Sequence, residues 1–93
     1  MAERKVIYSD TFVKCYKSLP KTIKQKVLKQ IDLLLSDPNS HSLRVHRIHG
    51  TKGIWELYVD KKYRITFERS GNTYFFRVVG THDILRKEEK RKF

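Results

Sequence analysis

Residues 54–68, IWELYVDKKYRITFE, decide how this chain folds. Polar and apolar residues alternate in two runs joined by a tight DKK junction, and that period of two belongs to strands rather than to a helix. In the first run Trp55, Leu57 and Val59 share one side and Ile54, Glu56 and Tyr58 the other. In the second, Tyr63, Ile65 and Phe67 stand against Arg64, Thr66 and Glu68. The more apolar side of each run has to face a core, which leaves Glu56 and Arg64 together on the opposite face.

The same grammar extends both ways. LRVHRI (43–48) precedes the pair across a glycine-flanked HGTKG loop, and TYFFRVV (73–79) follows across RSGN. In that last reversal Gly71 and Asn72 tolerate the positive φ of a hairpin. Four antiparallel strands are predicted. In the fourth, strict alternation puts Tyr74, Phe76 and Val78 in the core and Phe75, Arg77 and Val79 beside Glu56 and Arg64.

Upstream the period changes. KVIYS (5–9) is a short strand candidate, after which Ser9 or Asp10 offers an N-cap and Phe12, Tyr16 and Leu19 recur at helical spacing. Pro20 breaks that helix. From Lys21 a second helix carries Ile23, Val27, Ile31, Leu34 and Leu35 on one stripe, and Asp37-Pro38-Asn39 ends it. The expectation is an α+β fold, with an N-terminal strand and helical hairpin packed on a mostly antiparallel sheet, forming a single domain over residues 1–93.

Composition bounds the function. Twenty-one Lys and Arg against ten Asp and Glu give a net charge of +11 on 93 residues. Such self-repulsion points to a polyanionic partner, with nucleic acid the first candidate and an acidic protein another that composition does not separate from it. A membrane surface fits less well, because the basic helix needs its apolar face for the core. No apolar run approaches the roughly 20 residues of a membrane span, and the start has no signal-peptide core, so the chain reads as cytoplasmic. The single cysteine, Cys15, excludes an internal disulfide and reads as a small apolar filler in a reducing compartment.

Beyond the last strand comes GTHD (80–83), which puts His82 at the rim of the face that carries Arg64, Arg77 and Glu56. One reading is a solvated charge network. The other is chemistry on RNA, which carries its own nucleophile in the 2′-hydroxyl. A base, an acid and one or two cations suffice to deprotonate that oxygen, steady the phosphorane and protonate the departing 5′-oxygen, with no metal or other cofactor. Arg64 and Arg77 offer permanent planar donor forks, and His82 carries an imidazole that can give or accept a proton. His46 and His49 stand three apart in VHRIHG, so they do not share a pleated face as a metal pair would. Each is a candidate for substrate contact, as is Lys52 in GTKG. His41 is a loop residue.

The order strand, two helices, LRVHRIHGTKGIWELYVDKKYRITFE and FRVVGTHD resembles the RelE/ParE superfamily of bacterial and archaeal toxin–antitoxin toxins over nearly the whole chain. GTH after the last strand looks most like its YafQ-type branch. The resemblance implies a ribosome-dependent endoribonuclease that cuts mRNA to a 2′,3′-cyclic phosphate and is held inactive by a cognate antitoxin. It places Arg64 at the family's strand arginine on the scissile phosphate, His82 at the YafQ-type catalytic histidine and His46 near that branch's upstream histidine. Arg77 falls close to the last-strand arginine. Glu56 has no firm counterpart and serves either as base, as in YoeB-like relatives, or as the partner of Arg64. The family's base-stacking aromatic after the histidine is missing here. The nearest downstream aromatic is Phe93, which joins Arg86 as a candidate substrate contact. Two other classes remain: a ParE-like inhibitor of DNA gyrase without nuclease activity, and a non-catalytic RNA-binding relative.

Overall fold

A computed structural model describes residues 4–84 of the chain. The elements run β1 (Lys5–Tyr8), α1 (Asp10–Lys17), α2 (Lys21–Ser36), β2 (Val45–Arg47), β3 (Ile54–Tyr58), β4 (Tyr63–Ser70) and β5 (Thr73–Thr81). One sheet holds all five strands in the order β1-β5-β4-β3-β2. β2 to β5 form the expected antiparallel meander, and β1 adds in parallel to β5 after the two-helix crossover. Among the described residues no helix is long and apolar enough to cross a membrane.

Local chemistry sets the ends of the elements. Ser9 is the N-cap of α1, its hydroxyl accepting from the Phe12 amide at 2.9 Å. α1 stops at Lys17, and α2 restarts after Pro20, which has no amide to leave unsatisfied and whose carbonyl accepts from Lys24 at 2.9 Å. In the β4–β5 hairpin Gly71 takes a φ of +58°. The β3–β4 reversal is closed by Asp60, whose Oδ1 accepts from the amides of Lys62 and Tyr63, both at 2.8 Å.

The helical stripe packs as its period predicts. Phe12, Val27, Ile31 and Leu34 meet Leu57, Val59, Ile65, Phe67, Tyr74, Phe76 and Val79, all buried. Phe76 is the hub, with Tyr8, Phe12, Phe67 and Tyr74 rings at 5.4, 5.9, 5.8 and 6.4 Å. Burying a side chain of this size contributes about 1.5–3 kcal/mol.

One expectation is corrected. Thr66 pairs with Val78 but Phe67 pairs with Phe76, so Arg77 is the extra residue of a β-bulge. Alternation restarts after it. Val79, at 1% exposure, belongs to the core opposite Ile65, and Val78 moves to the face of Thr66, the reverse of the strict alternation. Ser9 secures the irregularity, its amide donating to the Phe76 carbonyl at 3.0 Å and its hydroxyl to the Arg77 carbonyl.

Candidate active site

The face away from the helices is organised in cross-strand rows. Pairing aligns His46, Glu56, Thr66 and Val78 in one row, and Tyr58, Arg64 and Gly80 in the next. The His82 amide donates to the Lys62 carbonyl at 3.0 Å, continuing the β4–β5 ladder by one step. Gly80 and His82 are two residues apart, so the period of the ladder directs His82, just past the strand end at Thr81, toward the Arg64 side. The bulge causes this. Without it, the parity that puts Arg77 beside Arg64 would send residue 82 to the helical side. Gly80 also matters by what it lacks, since a Cβ there would lie 2.8 Å from the Ile84 side chain.

Arg64 is buried, at 7% exposure, and held from several directions. Its Nη1 donates to the carbonyls of Asp60 and of Tyr63, the latter at 3.0 Å. The guanidinium lies over the Tyr58 ring, 3.8 Å from its centroid. Its Nε stands 3.8 Å from Glu56 Oε2, close enough for Coulomb attraction but beyond a hydrogen bond. His46 is exposed, its ring edge-on to Tyr58 at 5.4 Å. His82 is exposed as well.

Glu56 Oε2, Arg64 Nε and Thr66 Oγ1 are buried without a hydrogen-bond partner, and all three sit in these two rows. Tyr74 Oη in the core is also without a partner; leaving such a group unsatisfied costs about 1–3 kcal/mol, and the other three fall within these two rows. The patch joins an acceptor, a cationic donor and a hydroxyl, with the exposed His46 in the same row as Glu56 and the exposed His82 one step past the end of β5. That set suits a phosphodiester with a neighbouring hydroxyl.

Asp60 shapes the setting. Burial raises its pKa, but the Tyr63 and Lys62 amides and the Lys26 ammonium, 3.4 Å away, outweigh that and hold it below the ordinary value. A cleft of about 430 Å³ opens here, lined by Arg44, Tyr58, Asp60, Lys61 and Arg64 among others.

The remaining candidates lie apart. Arg77 Nη1 donates to Glu68 Oε2 at 2.7 Å, one row further from the Arg64 end than Thr66. Lys52 lines a separate hollow with Glu68, Arg69 and Phe75, some four residues along β4 from Arg64, or about 13 Å at 3.3 Å per residue. His49 is exposed in the same β2–β3 connection. Arg86 and Phe93 lie outside the described residues. Among the described residues no cluster of three or more His, Cys, Asp or Glu could hold a metal ion. Sequence reasoning missed Tyr58 and Thr66 as site residues, although each shares the parity of Glu56 or Arg64 and was legible from alternation.

The arrangement is a small sheet with a polar face carrying Glu56, Arg64 and Thr66, opposite two helices that supply the core. No family model matches the sequence, and neither does any curated protein. Solved structures do match. The E. coli DinJ-YafQ toxin-antitoxin complex aligns at 22% identity and a TM-score of 0.76 over 90% of this chain and 98% of the matched one. The RelB-RelE antitoxin-toxin complex from Methanococcus jannaschii gives 25% identity and 0.70 over 87% and 95%. The archaeal RelE-RelB complex from Pyrococcus horikoshii OT3 gives 18% and 0.68 over 98% and 100%. The fold of this chain is that of the RelE/ParE superfamily.

Proposed function

We propose that this protein is the toxin of a toxin–antitoxin pair and acts as a metal-independent endoribonuclease on mRNA in the ribosome. The observation that carries the reading is the patch of Glu56, Arg64 and Thr66, with its buried unpartnered polar atoms, His46 in the row of Glu56 and His82 just past the end of β5.

In this reading Arg64 binds the scissile phosphate and stabilises the phosphorane, its guanidinium already oriented by Asp60, Tyr63 and Tyr58. Glu56 or His46 removes the proton of the 2′-hydroxyl. That oxygen attacks phosphorus, the P–O5′ bond breaks, and His82 gives its proton to the leaving 5′-oxygen. The products are a 2′,3′-cyclic phosphate and a 5′-hydroxyl end. The ribosome contributes in-line placement of the attacking oxygen, an entropic advantage that a small open face cannot supply alone.

The partner is a cognate antitoxin, acidic or with a flexible segment. Two features support this. The net charge of +11 favours an acidic chain. Tyr8, Val13 and Leu28, at 41, 38 and 53% exposure, line an almost wholly apolar groove over α1 and α2 that such a chain would cover.

Mapping of mRNA 5′ ends after brief expression tests the activity. New ends within translated messages are expected, absent with Arg64→Ala. On programmed ribosomes, His82→Gln is expected to slow single-turnover cleavage by about 10²- to 10⁴-fold and Arg64→Ala by about 10²- to 10³-fold. Growth arrest without new RNA ends but with gyrase-dependent DNA damage would replace this reading with the ParE-like one.

A further inference from the structure

We infer that Tyr58 is a positioning residue of the site: its ring fixes the plane of the Arg64 guanidinium and keeps that cation from closing onto Glu56. The inference rests on the ribonuclease reading and adds to it the element that keeps the phosphate-binding arginine available.

The geometry carries the argument. Tyr58 and Arg64 are direct partners across β3 and β4, so the ring and the guanidinium leave the sheet side by side on one face. The guanidinium carbon lies 3.8 Å from the ring centroid, a close stacking distance. Such a contact is attractive because the electron-rich face of the ring meets a cation, and it strengthens on desolvation. Arg64 is desolvated, at 7% exposure.

A planar donor fork loses its remaining freedom when one face is stacked and one nitrogen is bound. Here the stack is Tyr58, and the bound nitrogen is Nη1, which donates to the carbonyls of Asp60 and Tyr63. The result is visible in the Glu56 contact. An arginine and a carboxylate side by side normally close to 2.7–2.9 Å, often through two parallel hydrogen bonds. Here Nε and Oε2 stay at 3.8 Å, and both atoms are buried and unbonded. The guanidinium is thus held short of a pairing that would consume its donors and the carboxylate together. Preserving that gap keeps Arg64 for a phosphate and Glu56 for a proton.

Tyr58 does the same for a second group, since the His46 ring meets its edge at 5.4 Å in a T-shaped contact. One aromatic ring therefore stands between the arginine and the upstream histidine. Only the ring is needed for either contact. The hydroxyl plays no part in the proposal.

The test compares Tyr58→Phe with Tyr58→Leu in single-turnover cleavage on programmed ribosomes, beside wild type. Tyr58→Phe is expected to retain the rate within about threefold, because the stacking face survives. Tyr58→Leu is expected to lower the maximal rate by roughly 10- to 100-fold with little change in half-saturating protein concentration, the signature of a misplaced transition-state group. A second readout is independent of activity. In wild type and Tyr58→Phe the Arg64 side-chain NH and CH₂ resonances should carry the upfield ring-current shift of a stacked guanidinium, and Tyr58→Leu should lose it while keeping the rest of the spectrum. Equal cleavage by wild type and Tyr58→Leu would overturn the inference, as would a Tyr58→Phe as slow as Tyr58→Leu, which would point to the hydroxyl. Wild type that cuts no message would instead sink the ribonuclease reading, leaving the NMR comparison to decide whether Tyr58 holds Arg64.

Discussion

At the scale of single residues, the sheet face buries a polar atom at a cost to stability. Thr66 is fully buried, and its hydroxyl has no hydrogen-bond partner. Valine has nearly the same shape without the polar atom. Thr66→Val is therefore expected to raise unfolding free energy by about 1 kcal/mol while lowering cleavage, because an unpartnered buried hydroxyl weakens a fold. Denaturant melts alongside ribosome assays would show it, and a loss of both together would mean the hydroxyl is structural. Asp60 shows the opposite coupling. Its folded-state pKa is depressed despite burial, by two amides and Lys26. The stabilisation is present above the ordinary value of 3.8 and is lost as pH falls through the lower folded value. Asp60→Asn should accordingly melt below wild type at pH 7, and the gap should close in acid below 3.8. A gap that widened in acid would contradict the sign.

At the scale of elements, the bulge in β5 connects the helical layer to the strand end that leads into His82. Ser9 caps α1 with the same hydroxyl that donates to the bulge carbonyl of Arg77, and its amide holds Phe76. Removing that hydroxyl should cost about 1 kcal/mol through the lost cap alone. If the bulge also depends on it, Ser9→Ala should slow cleavage, since the phase of Val78, Gly80 and His82 is set there. Hydrogen exchange at the Val79 and His82 amides would report the loosening directly. Unchanged exchange and rate would confine Ser9 to capping.

At the scale of the whole molecule, an apolar groove lies over the helices and the Arg64 cluster on the sheet. Tyr8, Val13 and Leu28 line the groove, whereas Arg64 and His46 stand in neighbouring rows of the sheet and His82 just past the end of β5. An antitoxin that reaches the groove with an amphipathic segment would gain its affinity from apolar burial and its association rate from the +11 charge. Leu28→Asp is expected to weaken the complex at least tenfold by placing a carboxylate in that contact, so that toxin escapes neutralisation in cells. High salt should slow association more than it speeds dissociation, which stopped-flow mixing resolves.

The sequence by itself determined the elements and most of the faces. Period-two runs from Val45 to Val79 and a period-3.6 stripe from Ile23 to Leu35 specify strands and helices because each must bury one side, and the outcome is the α+β fold they predict. It also singled out Glu56, Arg64 and His46, which stand in neighbouring rows of the sheet, and His82 just past the end of β5. Tertiary structure decided what depends on partners distant in sequence. The parallel addition of β1 to β5 is a choice among sheet edges that local pattern does not encode. The bulge at Arg77 is an extra residue whose position is set by the carbonyls Ser9 can reach, 68 residues away, so alternation alone put Val78 and Val79 on the wrong sides. The separation of Arg77, paired with Glu68, from the Arg64 cluster follows from the same shift. So does the direction of His82 toward the Arg64 side: a slip of one residue in a pleated strand exchanges its faces, and only the folded ladder says where the slip falls.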